Sequence, residues 1–198
     1  MILFKLIIFL SIIFPSDAHT IAKNISNIES PKDTKATMIM TLIDKKGNQR
    51  ESRIRTFTKD NGVKQIMWFL SPPSDRGISI YKVEKKDTKD DMKMWLPAFK
   101  KVRRISSNRK SESFMNSDLT FEDLYNRDID DYTYDLIEND PEYYILISYP
   151  NEELKSSYSK HISWVDKKTN RIIKEESYNK NKKILKTKEF EYIKLNGY

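Results

Sequence analysis

From Ala36 to Leu96 apolar and polar residues alternate with a period of two, the signature of half-buried strands. Met38, Met40 and Leu42 alternate with Thr37, Ile39 and Thr41, and further strands are predicted over Gln49 to Thr58, Val63 to Leu70, Ile78 to Val83 and Met92 to Leu96. Between them lie Lys45-Lys46-Gly47-Asn48, Lys59-Asp60-Asn61-Gly62, the proline-stiffened loop from Ser71 to Gly77, and a charged turn from Glu84 to Asp91. Asn61-Gly62 supplies the positive φ a tight hairpin needs, and Pro72 and Pro73 fix φ and remove donors. Strand signals resume at Tyr132 to Ile137, Tyr143 to Tyr149, His161 to Val165, Arg171 to Tyr178 and Leu185 to Ile193. Turn signals at this spacing predict an antiparallel meander that curls toward a barrel or sandwich.

Two segments depart from that period. Ile21, Ile25 and Ile28 stand at helical spacing and predict a short N-terminal helix ending near Ser30-Pro31. The second, Trp95 to Leu124, starts as a strand that stops at Pro97 and continues through Lys100, Lys101, Arg103, Arg104, Arg109 and Lys110. After Phe114 and Met115 its sign reverses at Asp118, Glu122 and Asp123, with Phe121 and Leu124 on one side of a predicted helix over Leu119 to Tyr125. This reads as a strand edge capped by a lid. Neither helix is long enough to cover such a sheet, so an apolar cavity suited to acyl chains is expected between sheet and helices.

Composition narrows the class. A chain of 198 residues, 38% hydrophobic, suits one domain with one sizeable core, and 4 Gly beside 11 Tyr and 9 Phe is not a disordered composition. A net charge of +7 permits anionic partners without choosing among them. At the N-terminus, Lys5, an apolar run from Leu6 to Phe14 and then Pro15-Ser16-Asp17-Ala18 read as a secretory signal cut after Ala18. The run is shorter than the ~20 residues that span a bilayer, so a soluble periplasmic protein is expected. With no cysteine there is no disulfide framework and no thiol to carry a lipid after the signal.

The chain offers little catalytic chemistry. His19 sits at the expected new N-terminus and His161 in a strand pattern where a lone histidine is more often structural. No Cys-His pairing, zinc-ligand spacing, Gly-x-Ser-x-Gly or phosphate-cradling glycine loop is present, so no enzyme, metal or cofactor is expected. The carboxylates from Asp118 to Asp135 lack the interior glycine and spacing of a calcium loop and suit a solvated face or ion pairs with Arg103 and Arg104. Lys100 to Lys110 with Trp95, Phe99 and Phe114 could track a nucleic acid, but an exported protein rarely meets one. Anionic lipid or an acidic protein partner is the better match. The methionines fit an adaptable pocket or ordinary core filling, and both readings stay open.

Three blocks resemble one family. Phe69 to Glu84 (FLSPPSDRGISIYKVE), Trp95 to Ile105 (WLPAFKKVRRI) and Ser113 to Leu124 (SFMNSDLTFEDL) look like the signature blocks of the periplasmic outer-membrane lipoprotein-sorting proteins, the LolA-like group. YSKHISWVDKKTNRIIKEESY and FEYIKLNGY follow in the same order. The resemblance implies a mainly β fold with short α, a curved antiparallel half-barrel (LolA/LolB-like) covered by helices. It also implies a carrier of lipoprotein acyl chains or lipid, making only peripheral contact with the membrane. The alternative is a non-enzymatic accessory module on a membrane transporter of the resistance-nodulation-division type. Asn116 stands where the family usually has glycine, and Lys93 and Trp95 where it tends to have Trp and Tyr. Family members tend to continue beyond Gly197-Tyr198, so the chain is expected to be C-terminally short.

Within this frame Trp68, Phe69, Met94, Trp95, Phe114, Met115, Phe121 and Leu124 are the expected cavity wall and cover. Pro72, Arg76 and Gly77 would shape a rim loop. Arg103 and Arg104 would pair with Asp118 or Asp123 to hold the lid, or meet anionic headgroups.

Overall fold

The computed structural model describes residues 17–29, 31–85, 90–106, 109–137 and 139–192. Residues 1–16 of the expected signal, all of it but Asp17 and Ala18, and the end of the last predicted strand at Ile193 lie outside the described residues. The fold is mainly β, with two antiparallel meanders joined by the central segment. The first contains β1 (Thr34–Ile43), β2 (Gln49–Lys59), β3 (Lys64–Ser71), β4 (Ser79–Val83), β5 (Asp91–Leu96) and β6 (Lys101–Arg104), paired in chain order. The second contains β7 (Tyr132–Ile137), β8 (Tyr143–Pro150), β9 (Tyr158–Asp166), β10 (Ile172–Asn179) and β11 (Ile184–Glu189), again in order. Among the described residues neither sheet closes on itself, which agrees with the open half-barrel that the family resemblance implies.

Turn chemistry sets the register. Asp44 accepts the backbone N–H groups of Lys46 and Asn48, and Gly47 takes φ 83° to close β1 onto β2. Asp60, Asn61 and Gly62 all adopt positive φ between β2 and β3. In the Ser71 to Gly77 loop, Gly77 takes φ 88° and its N–H returns to the Phe69 carbonyl at 2.9 Å. That loop is held by an Arg50–Asp75 ion pair, whereas Arg76 is exposed and makes no salt bridge among the described residues.

β6 occupies part of what the sequence suggested was a basic loop. Pro97 to Phe99 forms a 3-10 turn, Lys100 takes φ 47°, and the chain returns with Trp95 opposite Val102 and Lys93 opposite Arg104. Charges on both faces erase the alternation by which strands are recognised, and a Lys/Arg-rich edge also discourages pairing with other chains. The predicted lid helix is likewise shorter than expected, a single 3-10 turn over Phe121–Leu124.

Alternation puts one core on the first sheet. Ile54 lies opposite Phe69, Met67 opposite Ile80 and Ile80 opposite Met94, and all five are buried with Met92. Helix α1 (Ala18–Ser26), capped by Asp17 accepting from His19 N–H, sets Ile21 and Ala22 against Leu146 and Val165 of the second sheet. It packs on the second sheet, where Ile129 of the central segment joins the same apolar cluster. No described helix is long and apolar enough to cross a membrane.

Candidate functional site

The central segment, from Ile105 to Asp131, lies between the sheets and meets each by different chemistry. Toward the first sheet it is apolar. Phe114 stacks tilted on Phe69 at 6.4 Å between centroids and edge-on to Phe121 at 5.9 Å, among Met67, Met92 and Met94. Met115, Leu119 and Leu124 pack around the margin. The backbone turns there through Met115 (φ 53°) and Asn116 (φ 62°), a left-handed pair that asparagine tolerates better than most residues.

Toward the second sheet it is ionic. Asp123 closes a capping box with Thr120, accepts from the Lys186 ammonium, and receives Lys188 Nζ at 3.1 Å. Lys188 also reaches Glu175 at 3.1 Å, and Glu175 takes two guanidinium hydrogen bonds from Arg127, at 2.5 and 3.0 Å. Tyr158 hydroxyl bonds Asp123 and Thr120, and Glu122 accepts from Ser156 and Ser157. On the first-sheet side a polar clip joins the same turn, beside the Asn126 amide's bond to the Asn61 carbonyl. Buried Lys82 donates to the Leu124 carbonyl at 2.7 Å and to Glu84, which in turn accepts from Asn126 N–H at 3.0 Å.

The network sets its own protonation states. Burial would raise the Asp123 carboxyl, but the charge of Lys188 and the hydrogen bonds from Lys186 and Thr120 outweigh it and hold the group well below the usual carboxylate range. Burial opposes ionisation of Glu175 too, and Arg127 overrides it, holding the carboxyl down to about 2. For His161, burial and then the Arg127 charge outweigh Glu175 and lower the imidazole to about 3. The ring is neutral at pH 7, with Nδ1 at 2.9 Å from Ser177 Oγ and Nε2 without a partner among the described residues. A cleft of about 630 Å³ with mixed polar and apolar walls runs beside this seam, with Arg127, Tyr132, Tyr158 and His161 among its lining residues.

The predicted site residues divide. Phe69, Met94, Phe114 and Phe121 are buried together, with Met115 and Leu124 packed at their edge. Trp68 and Trp95 are on the opposite face of the sheet, each 37% exposed, because neighbours in a strand point to opposite sides. The expected lid ion pairs are also different. Arg103 binds Glu112 at 3.3 Å, Arg104 lies on the outer face of edge strand β6, and Asp118 is exposed and offers its carbonyl to Lys186. Asp123 is held by lysines of β11, not by Arg103 or Arg104. Sequence reasoning missed Lys82, Arg127, Glu175, Lys186 and Lys188. For the four on strands the one signal was a charge where alternation would place an inward side chain, and Arg127, outside any strand, carried none.

A family model described as "Uncharacterized protein" matches residues 61–198. No curated protein matches the chain. Among solved structures, a domain from Vibrio parahaemolyticus described as outer membrane lipoprotein-sorting is 28% identical with a TM-score of 0.81, over 90% of this chain and 80% of that one. A DUF1329 family protein from Desulfovibrio piger is 27% identical with a TM-score of 0.79, over 91% and 80%. A LolA superfamily protein from Nitrosomonas europaea is 22% identical with a TM-score of 0.69, over 92% and 81%, and shares the fold.

Proposed function

Because the chain belongs to the LolA-like family of outer-membrane lipoprotein-sorting proteins, we propose that it is a non-enzymatic periplasmic carrier of acyl chains, sorting lipoproteins or lipids toward the outer membrane. The observation that carries this reading is the unequal attachment of the central segment. Its hold on the second sheet is mainly a buried ionic lattice, with Ile129 in the apolar core there, while its contact with the first sheet is mainly a layer of Phe and Met side chains edged by the Lys82 clip. Acyl carbon can replace such a layer at little cost, because each methylene withdrawn from water recovers about 0.8 kcal/mol and methionine repacks readily. Phe69, Met94, Phe114, Met115, Phe121 and Leu124 form the wall and cover of the cargo space in this account, and that space opens as the segment and second sheet move away from the first.

A fluorescent fatty-acid probe tests the reading. Uptake that is competed by unlabelled acyl chains and weakened by Phe114→Ala supports it. Failure of the stable wild-type protein to take up any probe would refute it. Docking on a transporter without cargo makes the opposite prediction for this assay.

A further inference from the structure

The first sheet has a second face, turned away from the core, and it is both apolar and basic. Strand register puts Trp68, Ser79, Trp95 and Val102 in one row across β3 to β6, with the two tryptophans two strands and roughly 10 Å apart over a small serine. The neighbouring row sets Phe57 and Ile66 beside Tyr81, and Trp68 packs edge-on to Phe57 at 5.6 Å. Phe99, on the turn from β5 to β6, is 70% exposed. Lys35, Arg53, Arg55, Lys59 and Arg104 share this face, and none has a carboxylate within salt-bridge distance among the described residues. Lys64 and Lys93 are paired with Asp60 and Asp91, and Glu51 is the acidic side chain of β2 that faces the same way.

An apolar recess of about 530 Å³ opens on the same face, bordered by Phe57, Ile66 and Tyr81, with Lys35, Lys59 and Lys64 outnumbering Asp33 at its rim. This order of polarity matches an anionic lipid, with carbon inside and phosphate at the mouth. Exposed tryptophan among unpaired cations suits the boundary between headgroups and acyl chains, where aromatic rings are at home and each cation gains from anionic phosphate.

We propose that this outer face docks the protein on the surface of an anionic phospholipid bilayer, with Trp68 and Trp95 at headgroup depth. The docking needs no cargo in the interior and so extends beyond the carrier reading. An acidic protein would match the charge but not the exposed tryptophan row beside an apolar recess.

The chain's three tryptophans provide the test, since Trp164 is on β9 of the other sheet under Lys174. Vesicles of phosphatidylethanolamine and phosphatidylglycerol, the latter carrying brominated chains, are mixed with the full protein. Quenching of tryptophan emission is expected in wild type and in Trp164→Phe, and is expected to vanish in Trp68→Phe/Trp95→Phe. Co-sedimentation with these vesicles is expected to weaken at least tenfold in Arg53→Glu/Arg55→Glu, whose changed side chains are solvent-facing, and to fall with added salt. Failure of wild type to bind the vesicles would overturn the proposal, as would quenching confined to Trp164. Self-association through this face without vesicle binding would assign it to a second copy of the chain instead. Loss of vesicle binding with fatty-acid uptake intact separates this proposal from the carrier reading.

Discussion

Asp123 and Lys186 are 63 residues apart in sequence and meet as an ion pair with both side chains 3% exposed. Asp123 belongs to the turn that covers the first-sheet core and Lys186 to the last strand of the second sheet, so this contact fastens the cover to one half of the molecule. A buried pair of this kind adds little net stability when intact, but it is costly to break, because the remaining charge has lost water and partner together.

Asp123→Asn is therefore expected to destabilise the protein by about 3–5 kcal/mol, leaving the buried Lys186 ammonium without a carboxylate while Lys188 keeps Glu175. Lys188→Ala should cost less, since Lys188 is partly solvated and Lys186 still serves Asp123. Urea unfolding of both variants checks the order. Equal losses would contradict it.

Acid should loosen the molecule in two stages. His161 is lowered from 6.5 to about 3 in the folded protein, so between these values the unfolded chain binds the extra proton and stability falls as pH falls. Glu175 is lowered from 4.5 to about 2, and its contribution, complete above 4.5, is lost as pH drops through 2. Melting temperature should decline from pH 6.5 downward and more steeply below 4.5. His161→Gln should flatten the first stage and leave the second. An unchanged first stage in that variant would assign it to another group.

Lys82 clips the cover to β4 through the Leu124 carbonyl and Glu84. Lys82→Met should fold, cost about 2 kcal/mol from the unpaired carboxylate and carbonyl, and speed amide exchange at Tyr125 and Asn126 relative to Thr120. Uniform acceleration across the segment would mean that the clip has no local role.

Phe114→Ala removes the ring shared by Phe69 and Phe121 and should cost about 3–5 kcal/mol. Calorimetry reads that loss. A loss below 1 kcal/mol would show that the layer is already loosely packed.

Much of this architecture is legible in the sequence, because a period of two with turns at Gly47, Asn61-Gly62 and Asn170 places nearly every strand. What escapes is whatever depends on a partner far along the chain. Trp68 and Phe69 look equally apolar in sequence, yet strand geometry sends one outward and the other into the core. β6 is hidden because an edge strand of Lys-Val-Arg-Arg carries charge on both faces. Lys186 is harder still. It is buried while Ile184 and Leu185 are exposed, an inversion of ordinary patterning explained by Asp123 together with the Tyr158 hydroxyl and the Asp118 carbonyl. Arg103 and Arg104 are nearer in sequence to Asp123 than Lys186 is, and proximity in sequence was the wrong guide to that ion pair.

The most direct test of the carrier account is native mass spectrometry of the protein purified from the periplasm, followed by organic extraction of whatever accompanies it. The account predicts a population heavier by the mass of an acyl-bearing molecule, released by organic solvent and diminished in Phe114→Ala. A bare mass throughout, together with no extractable acyl species, would contradict it.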